Sequence, residues 1–193
     1  VSGTSRRRWL RDSQKNCIPL FVDNVLVSTS IVTGKFYPDE VNDNFDNSIQ
    51  DINKTEFKEK VKYGKNVVIG KNVSIGSNCL IGHNTIIEQN VVIGNNCSIG
   101  SNSIIRNTLV GDTVKILDNC IIGKHGFGFF PHNTKNLRYP HIVIVHIGYN
   151  CEICCGENID IEPMSNTYIS KTTLLYNQMH RVHTDNTSEN TKR

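Results

Sequence analysis

From Tyr63 to Ile105 the chain places a large apolar residue at every sixth position, at Tyr63, Ile69, Ile75, Ile81, Ile87, Ile93, Ile99 and Ile105. Asn follows three residues later, at 66, 72, 78, 84, 90, 96 and 102, and then comes a compact residue, Val67, Val73, Cys79, Thr85, Val91, Cys97 or Ser103. Gly follows the large residue at 64, 70, 76, 82, 94 and 100. A helix of 3.6 residues per turn would smear these isoleucines around its axis, and a strand of period two has no use for a turn residue at every sixth place. A three-sided coil fits. Each hexad supplies one short strand and one corner, so that about 18 residues close a turn that stacks on the next at about 4.8 Å. The large residue points into the prism, Gly relieves crowding beside the corner, and Asn tolerates the left-handed backbone that the corner demands. The pattern predicts an all-β fold, a left-handed parallel β-helix. Its hand comes from the repeat signature, since the general crossover preference is right-handed.

After Ile105 the inward position moves to Val110, Ile116 and Ile122, at spacings of five, six and six, a one-residue deletion that a corner can absorb. GKHGFGFFPHNTKNLRYPHIVIVHIG then interrupts the repeat, an excursion over about 124–143, and the coil resumes at Ile147 and Gly148. Excursions are where a uniform prism can build a site. The segment Ile18 to Val32 is apolar and β-branched enough for one or two strands, and Phe36 to Lys54 is polar, acidic and turn-rich. We therefore divide the chain into an N-terminal piece with its linker (1–54), the β-helix (55–184) and a polar tail (185–193). TEFKEKVK, over 55–62, is expected to cap the first open coil edge, and Lys171 to Thr184 to have lost the hexad.

Composition changes this picture little. The 193 residues carry a net charge of +3, and Arg6, Arg7, Arg8 and Arg11 read as a solvated end, so no nucleic-acid partner is expected. No apolar run of 18 residues and no signal peptide is evident, which gives the expectation of a cytoplasmic chain without an integral membrane segment. Of seven cysteines, Cys79 and Cys97 fall one coil apart at the compact inward position and Cys120 follows the same logic, so packing explains them. Cys151, Cys154 and Cys155 contain a CxxC without a second ligand pair, so no metal site is assigned.

The block IIGKHGFGFF, the return HIVIVHIGYNCEI and the segment CCGENIDIEPMSNTYIS, in this order after the hexads, resemble the UDP-3-O-acylglucosamine N-acyltransferases of bacterial lipid A synthesis. The resemblance runs over roughly residues 18–184. It implies a homotrimer in which a uridine-binding N-terminal domain precedes the β-helix. It also implies a reaction in which a hydroxyacyl group passes from acyl carrier protein to the 2-amino group of a UDP-sugar. No resident cofactor is implied, because the acyl donor is acyl carrier protein with its phosphopantetheine arm. Matched residue by residue, the family's catalytic histidine falls on His183, and Asn177 matches the Asn of the same context. His125, Gly126 and Phe127 match the substrate-facing DGFGF-like block, with His125 in place of its Asp. Tyr176 stands where the family has an acidic residue, Pro163 and Met164 replace its Arg-Gly, and later coils and most of the N-terminal domain have no counterpart. Three readings follow. The first is the N-acyltransferase. The second is a non-catalytic scaffold of the same fold, and the third a γ-carbonic-anhydrase-like zinc enzyme cued by His141 and His146, five residues apart.

The hexads also predict assembly. Their last place points outward, and taken every 18 residues it gives three columns, of which only Val68, Ile86, Ile104 and Ile121 is apolar throughout. Such a ridge, about 15 Å long, is expected to pack on a threefold axis.

Overall fold

The computed structural model describes residues 20–41, 44–132, 135–163 and 165–176. The hexads wind into a left-handed parallel β-helix with three sheets. Val68–Ile69, Ile86–Ile87, Ile104–Ile105, Ile121–His125 and Asn158–Ile161 stack on the first face. Ser74–Ile75, Val92–Ile93, Thr108–Val110, Val145–Ile147 and Thr167–Ile169 form the second. The third runs from Lys62–Tyr63 to Leu174–Leu175. Ile69 pairs with Ile87 and Ile87 with Ile105, one turn being 18 residues as the repeat requires. Beyond Ile105 the deletion is taken up at the corner before Thr108, so that Ile93 pairs with Val110 and Val110 with Ile147.

Each inward isoleucine from Ile81 to Ile122 is at most 2 % exposed, and burying one such side chain contributes roughly 1.5–3 kcal/mol. The corners store the cost. Asn66, Asn72, Asn78, Asn84, Asn90, Asn96 and Asn102 all sit at φ between 56° and 61°, the left-handed region that Asn tolerates better than most residues. Their side chains also bond to one another up the corner, Asn78 Nδ2 donating to Asn96 Oδ1 at 2.9 Å and Asn84 Nδ2 to Asn102 Oδ1 at 3.1 Å. Inward thiols donate to main-chain carbonyls, Cys97 to Gly111 at 3.1 Å and Cys120 to Cys154 at 3.1 Å. Burial pushes the Cys97 thiol up to about 11, which leaves it protonated and unreactive.

Two expectations are corrected. The segment expected to form strands contains an α-helix, α1, over Val25–Phe36. Asn24 caps it by accepting from the Val27 amide at 3.1 Å, and Ser30 Oγ donates to the Arg138 carbonyl at 3.2 Å. A cap and a docking surface override the β-branched composition. At the other end the coil does not lapse at Lys171, because Thr172 takes the left-handed corner at φ 58° and Leu175 pairs with Ile153. The expected lead-in cap is present as short 3-10 turns at Ile52–Lys54 and Glu56–Glu59, which put Phe57 under the first coil.

The acidic stretch read as a linker is a strap down one corner of the prism. The Arg106 guanidinium donates to the Asn44 carbonyl at 3.2 Å, the Gln89 amide to Asp46 Oδ2 at 2.8 Å and the Lys71 amide to Ser48 Oγ at 2.9 Å. Each step is about one coil lower. Gln50–Asp51 then pairs antiparallel with Val68–Ile69, and Ile52 enters the core. In the column that begins with Gly70, Glu88 and Arg106 stand where the hexad elsewhere has Gly. Both are buried beneath the strap and joined Nε to Oε2 at 2.9 Å.

Candidate functional site

Chemistry-bearing side chains gather where the excursion leaves and rejoins the coil. At Gly123 the backbone turns to φ 79°, where an added Cβ would fall on the Arg106 carbonyl, and the bulge lets the strand run on to His125 beside Ile161. Gly126, Phe127 and Gly128 follow. Phe129–His132 and Lys135–Arg138 then form an antiparallel hairpin, and Val145 re-enters the second face. Gly126 donates its amide to the Ile161 carbonyl at 3.2 Å, and a Cβ there would press on that oxygen at 2.9 Å. At Gly128 a Cβ would come within 2.7 Å of His141 Cε1 and 3.1 Å of Pro163 Cγ. Glycine is needed at both places because backbone meets backbone at one and an imidazole at the other.

His125 and His141 lie ring on ring, with centroids 5.1 Å apart and planes 12° from parallel. His125 Nε2 is 3.0 Å from Glu40 Oε2, and its side chain is 1 % exposed. That hydrogen bond is the main reason the Glu40 carboxyl titrates below the usual range, with Arg106 and His141 adding to it. His141 is equally enclosed. Burial, together with the charges of His125 and Arg138, pushes its pKa down to about 4, so its ring is neutral at pH 7. Among the described residues, five of the eight buried side-chain polar atoms without a well-formed hydrogen bond lie here, at His125 Nδ1, both ring nitrogens of His141, Tyr139 Oη and Arg138 Nε, the others being Glu88 Oε2 and both carboxylate oxygens of Glu157. Phe127 is 70 % exposed and meets Phe129 edge-on at 5.4 Å, and the Arg138 guanidinium lies 5.7 Å above the Phe129 ring.

The structure therefore brings together His125, Gly126 and Phe127 of the expected site, and it seats them against the Asn158–Ile161 strand and Pro163. His183 and Asn177 lie outside the described residues, and Tyr176 stands 57 % exposed at their upper limit. The two histidines of the zinc reading are parted, since His146 stacks on Tyr168 at 5.0 Å on the second face while His141 stacks on His125. Among the described residues no three His, Cys, Asp or Glu side chains group as metal ligands. Sequence reasoning missed Glu40, which lies 85 residues from its partner and has no local signal. It used His141 only as a metal cue. The proline before it and the glycine that makes room for it were the available hints.

Comparison with known proteins fits this geometry. Residues 72–107 match the bacterial transferase hexapeptide family (six repeats). The chain carries transferase-type hexapeptide repeats. It is also similar to UDP-3-O-acylglucosamine N-acyltransferase 1 of Gloeobacter violaceus, 32 % identical over 76 residues, which are 39 % of this chain and 22 % of that protein. The corresponding enzyme of Acinetobacter baylyi is 32 % identical over 75 residues, 39 % of this chain and 21 % of the enzyme. That of Idiomarina loihiensis is 32 % identical over 80 residues, 42 % and 24 %. The aligned stretch thus spans between a fifth and a quarter of each relative's length. Among the described residues no helix is long and apolar enough to cross a membrane.

Proposed function

We propose that this hexapeptide-repeat chain is an acyltransferase that moves a hydroxyacyl group from acyl carrier protein to the 2-amino group of UDP-3-O-acylglucosamine. One observation carries the reading. The GFGF block and the NIDIEP segment, far apart in sequence and both part of the resemblance, pack on each other around buried histidines. The names of the three similar enzymes support the substrate class. In the reaction the amine nitrogen attacks the thioester carbonyl, the C–N bond forms, and a neutral imidazole takes the nitrogen's proton. The C–S bond then breaks and the thiolate leaves with a proton from the imidazolium, giving amide and free thiol. Backbone N–H groups suit the oxyanion. His183 is the residue the resemblance assigns as base, with Asn177, six positions before it, as a substrate-binding residue. Gly126 and Phe127 would shape the acyl-sugar site.

The reading is tested by incubating the chain with hydroxyacyl carrier protein and UDP-3-O-acylglucosamine and weighing the product. An N-acylated sugar that disappears in His183→Ala supports it, and a folded chain that makes none supports the scaffold reading, which Tyr176 in place of the family's acid favours. Assembly as a homotrimer belongs to the same proposal. The column Val68, Ile86, Ile104 and Ile121 is in register on the first face and half-buried in one chain, whereas Leu80 and Val92 of the other columns are 50 % and 41 % exposed. Sedimentation of an Ile86→Lys, Ile104→Lys variant is expected to show a folded monomer. A trimer would remove this face from the interface.

A further inference from the structure

We infer that Arg106, with Glu88 beneath it, is a positioning residue of this site: the pair fixes where the chain leaves the prism, and so where Gly126, Phe127 and Gly128 stand. The effect on transfer rests on the acyl-transfer reading; the placement does not. From Asn66 to Asn102 each corner Asn comes three residues after its large apolar residue, whereas Asn107 comes only two after Ile105. Arg106 fills this shortened corner, and Asn107 takes the left-handed turn at φ 44°. The Arg106 amide donates to the Ile122 carbonyl at 2.9 Å, on the coil above. Its own carbonyl accepts from Thr108 Oγ1 at 2.5 Å and stands 1.6 Å from where a Cβ on Gly123 would lie. At that glycine the register slips, and the strand runs on to His125 beside Asn158–Ile161 where the coils below it turn.

The side chains tie the same three elements. Arg106 Nε is 2.9 Å from Glu88 Oε2, and its Nη2 donates to the strap at the Asn44 carbonyl, 3.2 Å away. Glu88 Oε1 lies 3.8 Å from Nζ of Lys124, the first residue past the slip. Glu88 thus holds both the guanidinium and the outgoing chain, and Arg106 joins them to the strap, whose Glu40 meets His125 at 3.0 Å. Stability alone does not explain such a pair. Both side chains are only 9 % exposed, and Glu88 Oε2 makes no well-formed hydrogen bond although it is close to Nε. The desolvation of two buried charges offsets an attraction of that geometry, and an apolar pair of similar size would fill the corner at least as well. What an apolar pair lacks is direction. A planar guanidinium engages a carboxylate and a carbonyl at fixed angles, and here those two partners belong to the coil below and to the strap.

Amide hydrogen exchange and transfer kinetics of the whole chain, compared between wild type, Glu88→Leu/Arg106→Met and Arg106→Lys, test this. In the double variant the melting temperature should be unchanged or raised. The Gly126 amide, bonded to the Ile161 carbonyl, and the Tyr139 amide, bonded to the Gly128 carbonyl, should lose about tenfold or more of their protection. The Leu80 amide, bonded to Cys97 far down the coil, should keep its own. With Gly126 and Phe127 displaced, KM for UDP-3-O-acylglucosamine should rise about tenfold while kcat changes less than about twofold. Arg106→Lys keeps the charge without the planar fork and should raise KM as well. A double variant that melts lower or does not fold makes the pair a stabilising clasp and overturns the inference, as does a wild-type KM in either variant. If the wild-type chain transfers no acyl group, the functional reading fails by itself. Hydrogen exchange then still decides the placement, which lost protection at Gly126 and Tyr139 sustains and unchanged protection refutes.

Discussion

The lower coils and the excursion are built from the same hexad grammar and use it in opposite ways. From Ile81 to Ile105 the large inward residue of every hexad is an isoleucine in a dry stack, every corner is an Asn with its partner one turn away, and the compact inward hydroxyls and thiols end on carbonyls. Around the excursion the aliphatic stack goes on through Ile122 and Ile159, but beside it lie an imidazole pair and several buried nitrogens and a phenol that lack partners. Local rules hold along most of the scaffold, Glu88 and Glu157 being exceptions, and are relaxed most where chemistry is proposed, the distribution expected when stability elsewhere carries a strained site.

The largest expected effect falls on the scaffold. Ile87→Ala empties a fully buried level of the stack and should cost about 2–5 kcal/mol, seen as a lowered denaturation midpoint with an unchanged slope. An equal loss from a substitution at an exposed residue such as Leu80 would break the comparison.

Next comes acid. Between pH 6.5 and about 4 the unfolded chain takes a proton on His141 that the folded chain refuses, so stability is complete above pH 6.5 and falls as pH drops through this window. The shift corresponds to roughly 3 kcal/mol, and the carboxyl of Glu40, held low by His125, pulls the same way further down. Urea denaturation at pH 7 and pH 4.5 should show the loss, and His141→Gln should flatten it. A pH-independent midpoint would mean that the imidazole is not buried neutral.

A smaller effect separates the two roles of the corners. Asn96→Ala puts a Cβ residue with no compensating side-chain bond at φ 57° and removes the acceptor of Asn78, for a loss of about 1–2 kcal/mol. Asn96→Gly keeps the backbone conformation easy and should lose less. Calorimetry of the two variants checks the order, which the account requires to be Gly above Ala.

Much of the scaffold was legible because a hexad is a local rule repeated in phase, so even the deletion after Ile105 could be placed from spacing alone. The strap was not, since Asn44, Asp46 and Ser48 find partners 62, 43 and 23 residues away and nothing in their own neighbourhood marks it. One clue was present. Glu88 and Arg106 break the glycine column at adjacent levels, and a charged pair at a crowded corner calls for something to cover it. Helix α1 was misread because β-branched residues argue for strands until a cap and a docking partner decide otherwise. The candidate site was legible in part. GFGF pointed to His125, Gly126 and Phe127, while Glu40 became visible only once the strap was in place.

The claim that the excursion, and not the prism, is where transfer occurs is tested most directly by the kinetics of Phe127→Ala. This side chain is 70 % exposed and contributes little to folding. If it covers substrate, losing an aromatic contact worth about 1.5–3 kcal/mol should weaken transfer roughly tenfold or more through KM. The account predicts that loss with an unchanged melting temperature. Wild-type KM and kcat in a folded Phe127→Ala chain would contradict it.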